Sequence, residues 1–208
     1  TVPPDEIMID PVLARYAKII AQEQFAWIGY LSSTAVYGNH HGQWVSETTT
    51  CLPSTAKANI RLLAEQQWLA LYVHQQLPVH ILRLSGIYGP GQNCLEDIKQ
   101  GKNYTIVKVD QYFSRIHIAD IWQAISAAIQ RPTPGEIYNV SDDEPAPLHI
   151  VQQFGAQILQ HKPLTEVVFA DASLSSAAAR FFNDNKKVNN AKVTKKTPTK
   201  VTTKPVSK

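Results

Sequence analysis

The chain is short of the residues that usually place a small protein quickly. It has two cysteines, Cys51 and Cys94, and one methionine, Met8, in 208 residues. Two distant thiols exclude a disulfide-built scaffold and fit no zinc spacing, so both are expected as reduced thiols of a cytosolic protein. No apolar run approaches the roughly 18 residues of a bilayer span. The start, TVPPDEIMIDP, is acidic and broken by prolines, which is no secretory leader. The histidines, among them His40, His41, His74, His80, His149 and His161, show no HExxH or paired-ligand spacing, so no metal site is expected. The nine glycines never fall into a G-x-x-G-x-x-G turn. Acid is absent from residues 186–208, which hold eight lysines. The formal charge of +3 is therefore a body of −5 joined to a tail of +8. That division excludes an evenly basic nucleic-acid surface. Lysines without arginine or aromatic residues give at most salt-sensitive, nonspecific binding, so no specific nucleic-acid partner is expected.

Hydrophobic residues make up 44% of the chain, enough for a sizeable core in residues 1–185. Asp10-Pro11 reads as a helix start, an N-cap acid with proline in the first turn. Phe25–Leu31 is short and continuously apolar, as a strand buried on both faces should be. Residues 35–54 read as loop. From Thr55 to about Gln76, the residues Ile60, Leu63, Ala64, Trp68, Leu71 and Tyr72 form a helical stripe, and Pro78 closes the segment. Val79–Leu84 is a second buried strand and Glu136–Val140 a third, separated by a helical stripe of Ile121, Ile125, Ala128 and Ile129. Pro147 opens one more helix. Strand, helical crossover and strand is the pattern of a parallel α/β sheet. The lysine- and threonine-rich segment from Val193 cannot bury enough apolar area to offset its ordering entropy and is expected to be disordered.

Ligands of such sheets bind at the carboxyl ends of the strands. The sequence places Ser32-Ser33-Thr34 at one such end and Ser85-Gly86-Ile87-Tyr88-Gly89-Pro90-Gly91 at the next. Small residues allow close backbone approach, and hydroxyls hydrogen-bond a carbonyl or alcohol. Asp142-Asp143-Glu144 reads as a solvated acidic turn. Trp27, Trp44, Trp68 and Trp122 read as packing residues, with Trp44 the candidate for lining a cleft.

YLSSTAVYG at 30–38, then Glu47, Pro53 and Ala64-Glu65, then LRLSGIYGPGQ at 82–92, RIHIADI at 115–121 and YNVSDDEPAP at 138–147 follow one another in a recognisable order. Together they resemble the extended or atypical short-chain dehydrogenases/reductases, the NAD-dependent epimerase/dehydratase superfamily. The resemblance covers roughly residues 1–190. It implies a Rossmann-like parallel sheet with a small α/β substrate lobe and NAD or NADP as cofactor. It assigns Ser33 to the reacting substrate oxygen. Ser32, Ser33, Ser85, Gly86 and Ile87 fall to the cofactor, and Thr34, Tyr37, Asn93 and His117 to the substrate side.

Two departures limit what the resemblance implies. Family members carry Pro, Tyr, Lys and Glu at four-residue steps. Here Pro53 and Glu65 keep the frame, but the Tyr position is Lys57 and the Lys position is Arg61. Four-residue spacing keeps both on one helix face. Like charges disfavour protonation, so Lys57 beside Arg61 is a candidate replacement base, and Arg61 a candidate ligand for ribose hydroxyls. Exposed cations without a role are the plainer reading. The second departure is the missing glycine-rich turn, which grips the pyrophosphate at a helix end. With Thr1 as first residue, it suggests an amino-terminally truncated piece with an incomplete cofactor site, an exposed sheet edge and poor solubility.

The expected organisation is a partial Rossmann domain at 1–92 and 117–140, a substrate lobe at 93–116 and 141–192, and a tail at 193–208. The expected location is the cytoplasm, or a plastid if a missing amino terminus carried a transit peptide. The expected partners are a small-molecule substrate and a second copy of the chain. Three functions follow: an epimerase, dehydratase or reductase of nucleotide-sugars or other small carbonyl compounds; a non-catalytic NAD(P)-binding or regulatory module; and an interaction protein using its basic tail.

Overall fold

The computed structural model describes residues 2–195. Its helices are α1 (Pro11–Gln22), α2 (Ala56–Gln75), α3 (Cys94–Lys99), α4 (Ile118–Gln130), α5 (Leu148–Ile158), α6 (Ser176–Phe181) and α7 (Ala191–Thr194). Its strands are β1 (Ile28–Ser33), β2 (Trp44–Val45), β3 (Val79–Leu84), β4 (Gly86–Tyr88), β5 (Tyr104–Val107), β6 (Arg115–His117), β7 (Ile137–Val140), β8 (Thr165–Val168) and β9 (Lys187–Val188).

The main sheet runs β1-β3-β7, parallel throughout, with Tyr30 opposite Ile81 and Leu84 opposite Val140. β3 lies in the middle and is buried along its whole length, which explains its unbroken apolar reading. Its two faces serve two cores. Val79 and Ile81 pack with Leu13 of α1 and with Ala64 and Trp68 of α2. Leu82 and Leu84 pack with Ile121 and Ala124 of α4, with Tyr138 and Val140, and with Val193. Among the described residues, three further two-stranded parallel pairs, β2-β9, β4-β6 and β5-β8, accompany this sheet.

Local chemistry sets the helix ends. Asp10 Oδ1 accepts the N–H groups of Val12 and Leu13, both at 2.9 Å, and Asp10 Oδ2 accepts Trp68 Nε1–H at 2.8 Å. One buried carboxylate thus caps α1 and ties it to α2. Thr55 Oγ1 caps α2, and Gln76, in the left-handed region, ends it before Pro78.

Several expectations are corrected here. β1 starts at Ile28, not Phe25, because the first sheet bond is Ile28 N–H to Pro78 O. Residues 35–54 are not all loop. They contain a 3-10 turn at Thr34–Tyr37 and the strand β2. Of the segment expected to be disordered, residues 193–195 are described, and Val193 is only 4% exposed and belongs to the core of the sheet. The other residues of the expected tail, 196–208, lie outside the described residues. Three of the eight lysines are also built into the fold. Lys186 donates to Gly38 O, Lys187 sits over the rings of Trp44 and Tyr112, and Lys192 pairs with Glu136.

Candidate functional site

β1 carries the first candidate residues into the sheet's carboxyl end. Ser32 is buried and donates its hydroxyl to Glu65 of α2. Ser33, half-buried, caps the 3-10 turn by accepting Ala35 N–H at 3.2 Å. Thr34 is buried, and Tyr37, the last residue of that turn, has no exposed surface. Gly38 then takes a φ of +69°, and a Cβ there would stand 1.7 Å from Leu52 O. Only glycine allows this crossing of the chain.

The polar residues under this turn form one buried network. Glu65 is 1% exposed and Arg83 4%. Arg83 Nη2 donates to Glu65 Oε2 at 2.7 Å, and Nε reaches both carboxylate oxygens at 3.1 and 3.2 Å. The guanidinium lies 4.8 Å from the centre of the Tyr37 ring. Glu65 holds the arginine charged, its pKa pushed further up by that carboxylate against the opposing effect of burial. Tyr37 donates its hydroxyl to Asn139 Oδ1 at 2.7 Å, and burial raises its pKa. Asn139 N–H goes to Glu47 Oε1, and its side-chain amide to Asn189 O. The network thus joins β1, α2, β3, β7, the loop around Glu47 and the carboxyl-terminal segment.

Tyr37 and Ser32, expected at substrate and cofactor, are inner residues whose hydroxyls are already engaged. Glu65, Arg83, Asn139 and Glu47 were not singled out for it. The signal was there: an arginine inside VHILRL and a glutamate on a helix stripe require partners if buried.

The replaced catalytic pair does not assemble. Lys57 is exposed and makes no hydrogen bond or ion pair among the described residues. Arg61 is half-buried and donates through Nη1 to Leu31 O at 3.4 Å, back toward β1. Above it Tyr30 is buried against Trp68, and burial pushes its hydroxyl up to about 12. Lys57→Ala is expected to leave thermal stability within about 0.5 kcal/mol of the parent, as at other free surface positions, checked by urea unfolding.

The second strand end is more open. Ser85 N–H bonds Val140 O at 3.1 Å, while its buried hydroxyl has no partner among the described residues. Gly86 and Ile87 are exposed. Asn93 is consumed in capping α3: its Oδ1 accepts Leu95 N–H and Glu96 N–H, and its Nδ2 donates to Gly89 O at 2.7 Å. His117 caps α4 through Nδ1 and meets Tyr88 edge-on at 5.2 Å. Asp142 contradicts the solvated-turn reading. It is 7% exposed, and only Asp143 and Glu144 face solvent. Trp68 is core as expected, but Trp122 is 68% exposed on α4 and Trp44 also lies open. No group of three metal-ligating side chains gathers among the described residues, and no described helix is long and apolar enough to cross a membrane.

Comparison with known proteins agrees with this fold. The model of the NAD dependent epimerase/dehydratase family matches residues 12–141. The chain belongs to that family. Among individual proteins it is similar to Protein YeeZ of Escherichia coli K12, 36% identical over 124 residues, which cover 58% of this chain and 40% of that protein. A functionally unknown conserved protein from Silicibacter pomeroyi DSS superimposes with a TM-score of 0.90 at 42% identity, over 96% of this chain and 70% of that one. The UDP-glucuronic acid 4-epimerase of Bacillus cereus, solved with UDP-glucuronic acid and NAD, shares the fold at a TM-score of 0.71 and 19% identity, over 86% of this chain and 58% of that one. The chain thus spans less than half the length of its curated relative.

Proposed function

We propose that this chain is part of an NAD(P)-binding protein of the epimerase/dehydratase family in which tyrosine-based hydride transfer has been lost. The observation that carries the reading is at positions 57 and 61. An acid/base must sit within hydrogen-bond reach of the proton it moves and of the group that tunes it. Lys57 instead stands free in solvent, and Arg61 turns toward the Leu31 carbonyl. Ser33, Lys57 and Arg61 therefore do not form a working acid/base set.

The residues at the second strand end fit the nicotinamide end of a dinucleotide. Ser85 offers a buried hydroxyl without a partner among the described residues, and Gly86 leaves the backbone accessible. Bound there, NAD(P) would supply hydride chemistry, while this chain would bind and orient the ring. For the pyrophosphate the 208 residues provide no glycine-rich turn. The substrate class, if the protein turns over, is a nucleotide-sugar or other small carbonyl or alcohol compound. The division into a sheet domain at 1–92 and 117–140 and a substrate lobe at 93–116 and 141–192 belongs to the same proposal. So does a second copy of the chain, supported by exposed Tyr16 and Ile19 of α1, Val73 of α2, and a groove of about 330 Å³ between these helices.

The test is a thermal melt of this chain with NADH and NADPH. A complete site at a hundredfold excess over its dissociation constant adds about 2.7 kcal/mol. The expected result is no resolvable shift for the 208 residues, and a shift without NAD(P)H turnover for the longer protein. Steady turnover by the longer protein that Lys57→Ala abolishes would overturn the proposal.

Lys186, Lys187 and Lys192 are committed to the fold, which leaves five of the eight lysines for an anionic partner.

A further inference from the structure

His80 is the second residue of β3 and has no exposed surface. Both of its ring nitrogens are engaged. Nε2 meets the Thr133 N–H at 2.8 Å, and Nδ1 meets Pro78 O at 2.9 Å. A backbone N–H only donates, so Nε2 is the unprotonated, accepting nitrogen. Nδ1 then carries the proton and donates it to the Pro78 carbonyl. Thr133 stands between Pro132 and Pro134 in the connection from α4 to β7. Proline has no N–H, so Thr133 is the only backbone donor between Arg131 and Gly135. Arg131 N–H bonds Ala127 O of α4, and Gly135 N–H bonds Val79 O at 2.7 Å. The His80 ring therefore holds the middle of this connection onto β3. Thr133 Oγ1 in turn bonds the Tyr138 hydroxyl at 2.5 Å, and Tyr138 packs with Val193 of α7 in the core.

We propose that His80 is an acid-sensitive latch: as a neutral imidazole it holds the α4–β7 connection on β3, and once protonated in an opened state it cannot retake Thr133. An imidazolium has two donors and no acceptor, so the Thr133 N–H would face another N–H. The titratable and charged groups on the elements packed around it are few. Arg131 ends α4, Glu136 and Tyr138 come from the β7 side, and Lys192 comes from α7. Tyr72 of α2 lies against Gly135. Glu136 is the one carboxylate of these five, and it is paired with Lys192. Trp27 stacks on the ring at 5.7 Å, but its indole nitrogen only donates. Burial and two cations against one carboxylate both disfavour an imidazolium in the closed form. Below about pH 6.5, the ordinary histidine value, the opened or unfolded chain binds a proton that the latched form does not. The latch is therefore at full strength above that value and weakens as pH falls through it. This inference does not depend on cofactor binding.

The experiment reads the full chain by NMR, through the histidine ring nitrogens and through hydrogen exchange at the Thr133 amide. At pH 7 the His80 ring is expected in the form protonated on Nδ1. Corrected for the intrinsic pH dependence of exchange, Thr133 protection should fall by up to about 30-fold between pH 7.5 and pH 5, the factor set by the distance of pH 5 from the ordinary histidine value. In His80→Gln the side-chain amide oxygen accepts without titrating, so protection there should stay level. Urea unfolding should show the same weakening of the parent relative to the variant at low pH. Equal pH dependence in the two proteins would overturn the proposal. If His80→Gln does not fold, the parent alone decides. Loss of Thr133 protection that sets in near about pH 6.5 supports the latch. A ring protonated on Nε2 at pH 7, or protection that stays level, overturns it.

Discussion

Glu65→Ala is expected to destabilise the chain by about 3–5 kcal/mol, the usual cost of stranding one partner of a buried ion pair. Arg83 is 4% exposed and bonds Glu65 through both Nε and Nη2. Without the carboxylate, the guanidinium is left charged between β3 and the Tyr37 ring, with no other described acid beside it. The Ser32 hydroxyl loses its acceptor in the same change. Arg83→Ala should cost a similar amount, because it leaves Glu65 unpaired. Replacing both together, Glu65→Leu with Arg83→Met, removes both charges and should recover most of the loss. Urea unfolding of the parent, Glu65→Leu, Arg83→Met and the double variant forms a double-mutant cycle. A Glu65→Ala loss below about 1 kcal/mol, the scale of an exposed pair, would show that the network does not hold the fold.

The same network shows how far the sequence could be read. β3 was legible to the residue, because six successive positions are buried and an apolar run is what double-sided burial requires. α2 was legible at both ends, through Thr55 and Pro78. The strand ends Ser32–Thr34 and Ser85–Ile87 were placed by the switch from apolar to small polar residues. Side-chain direction was not legible. Ser32 and Ser33 are adjacent, yet one faces Glu65 under the sheet and the other caps a turn. Period-2 alternation separates them only once register is known. Asp142 shows the same limit, because composition reads an acidic triplet as solvated and cannot see that its first member turns inward. Lys57 and Arg61 were correctly set on one helix, but helical spacing does not say what lies opposite.

The carboxyl-terminal segment carries the second large effect. A chain ending at Asp184 is expected to lose its cooperative unfolding transition, while one ending at Lys195 keeps it. Residues 185–192, expected within the substrate lobe, form a strap whose bonds composition does not reveal. Asn185 O accepts the N–H groups of His40 and Gly42 at 3.0 and 2.9 Å. Lys187 N–H bonds Gln43 O, and Asn189 N–H bonds Val45 O, both at 2.9 Å. Val188 N–H reaches Ser114 Oγ, and Asn139 reaches Asn189 O, at 3.0 and 3.1 Å. Val188 and Val193 are buried in two different cores. Each hydrogen bond contributes about 1 kcal/mol net, and each buried valine about 1.5–3 kcal/mol. Their sum is comparable to the roughly 5–15 kcal/mol that holds an ordinary domain together. The first region to fail should be residues 38–47, which have few other backbone partners. Hydrogen exchange on a chain ending at Asn190 separates the contributions. That chain keeps β9 but loses Val193, so the amides of 38–47 should stay protected while those of β7 open. Equal loss in both places would mean that the strap acts as one unit rather than through two anchors.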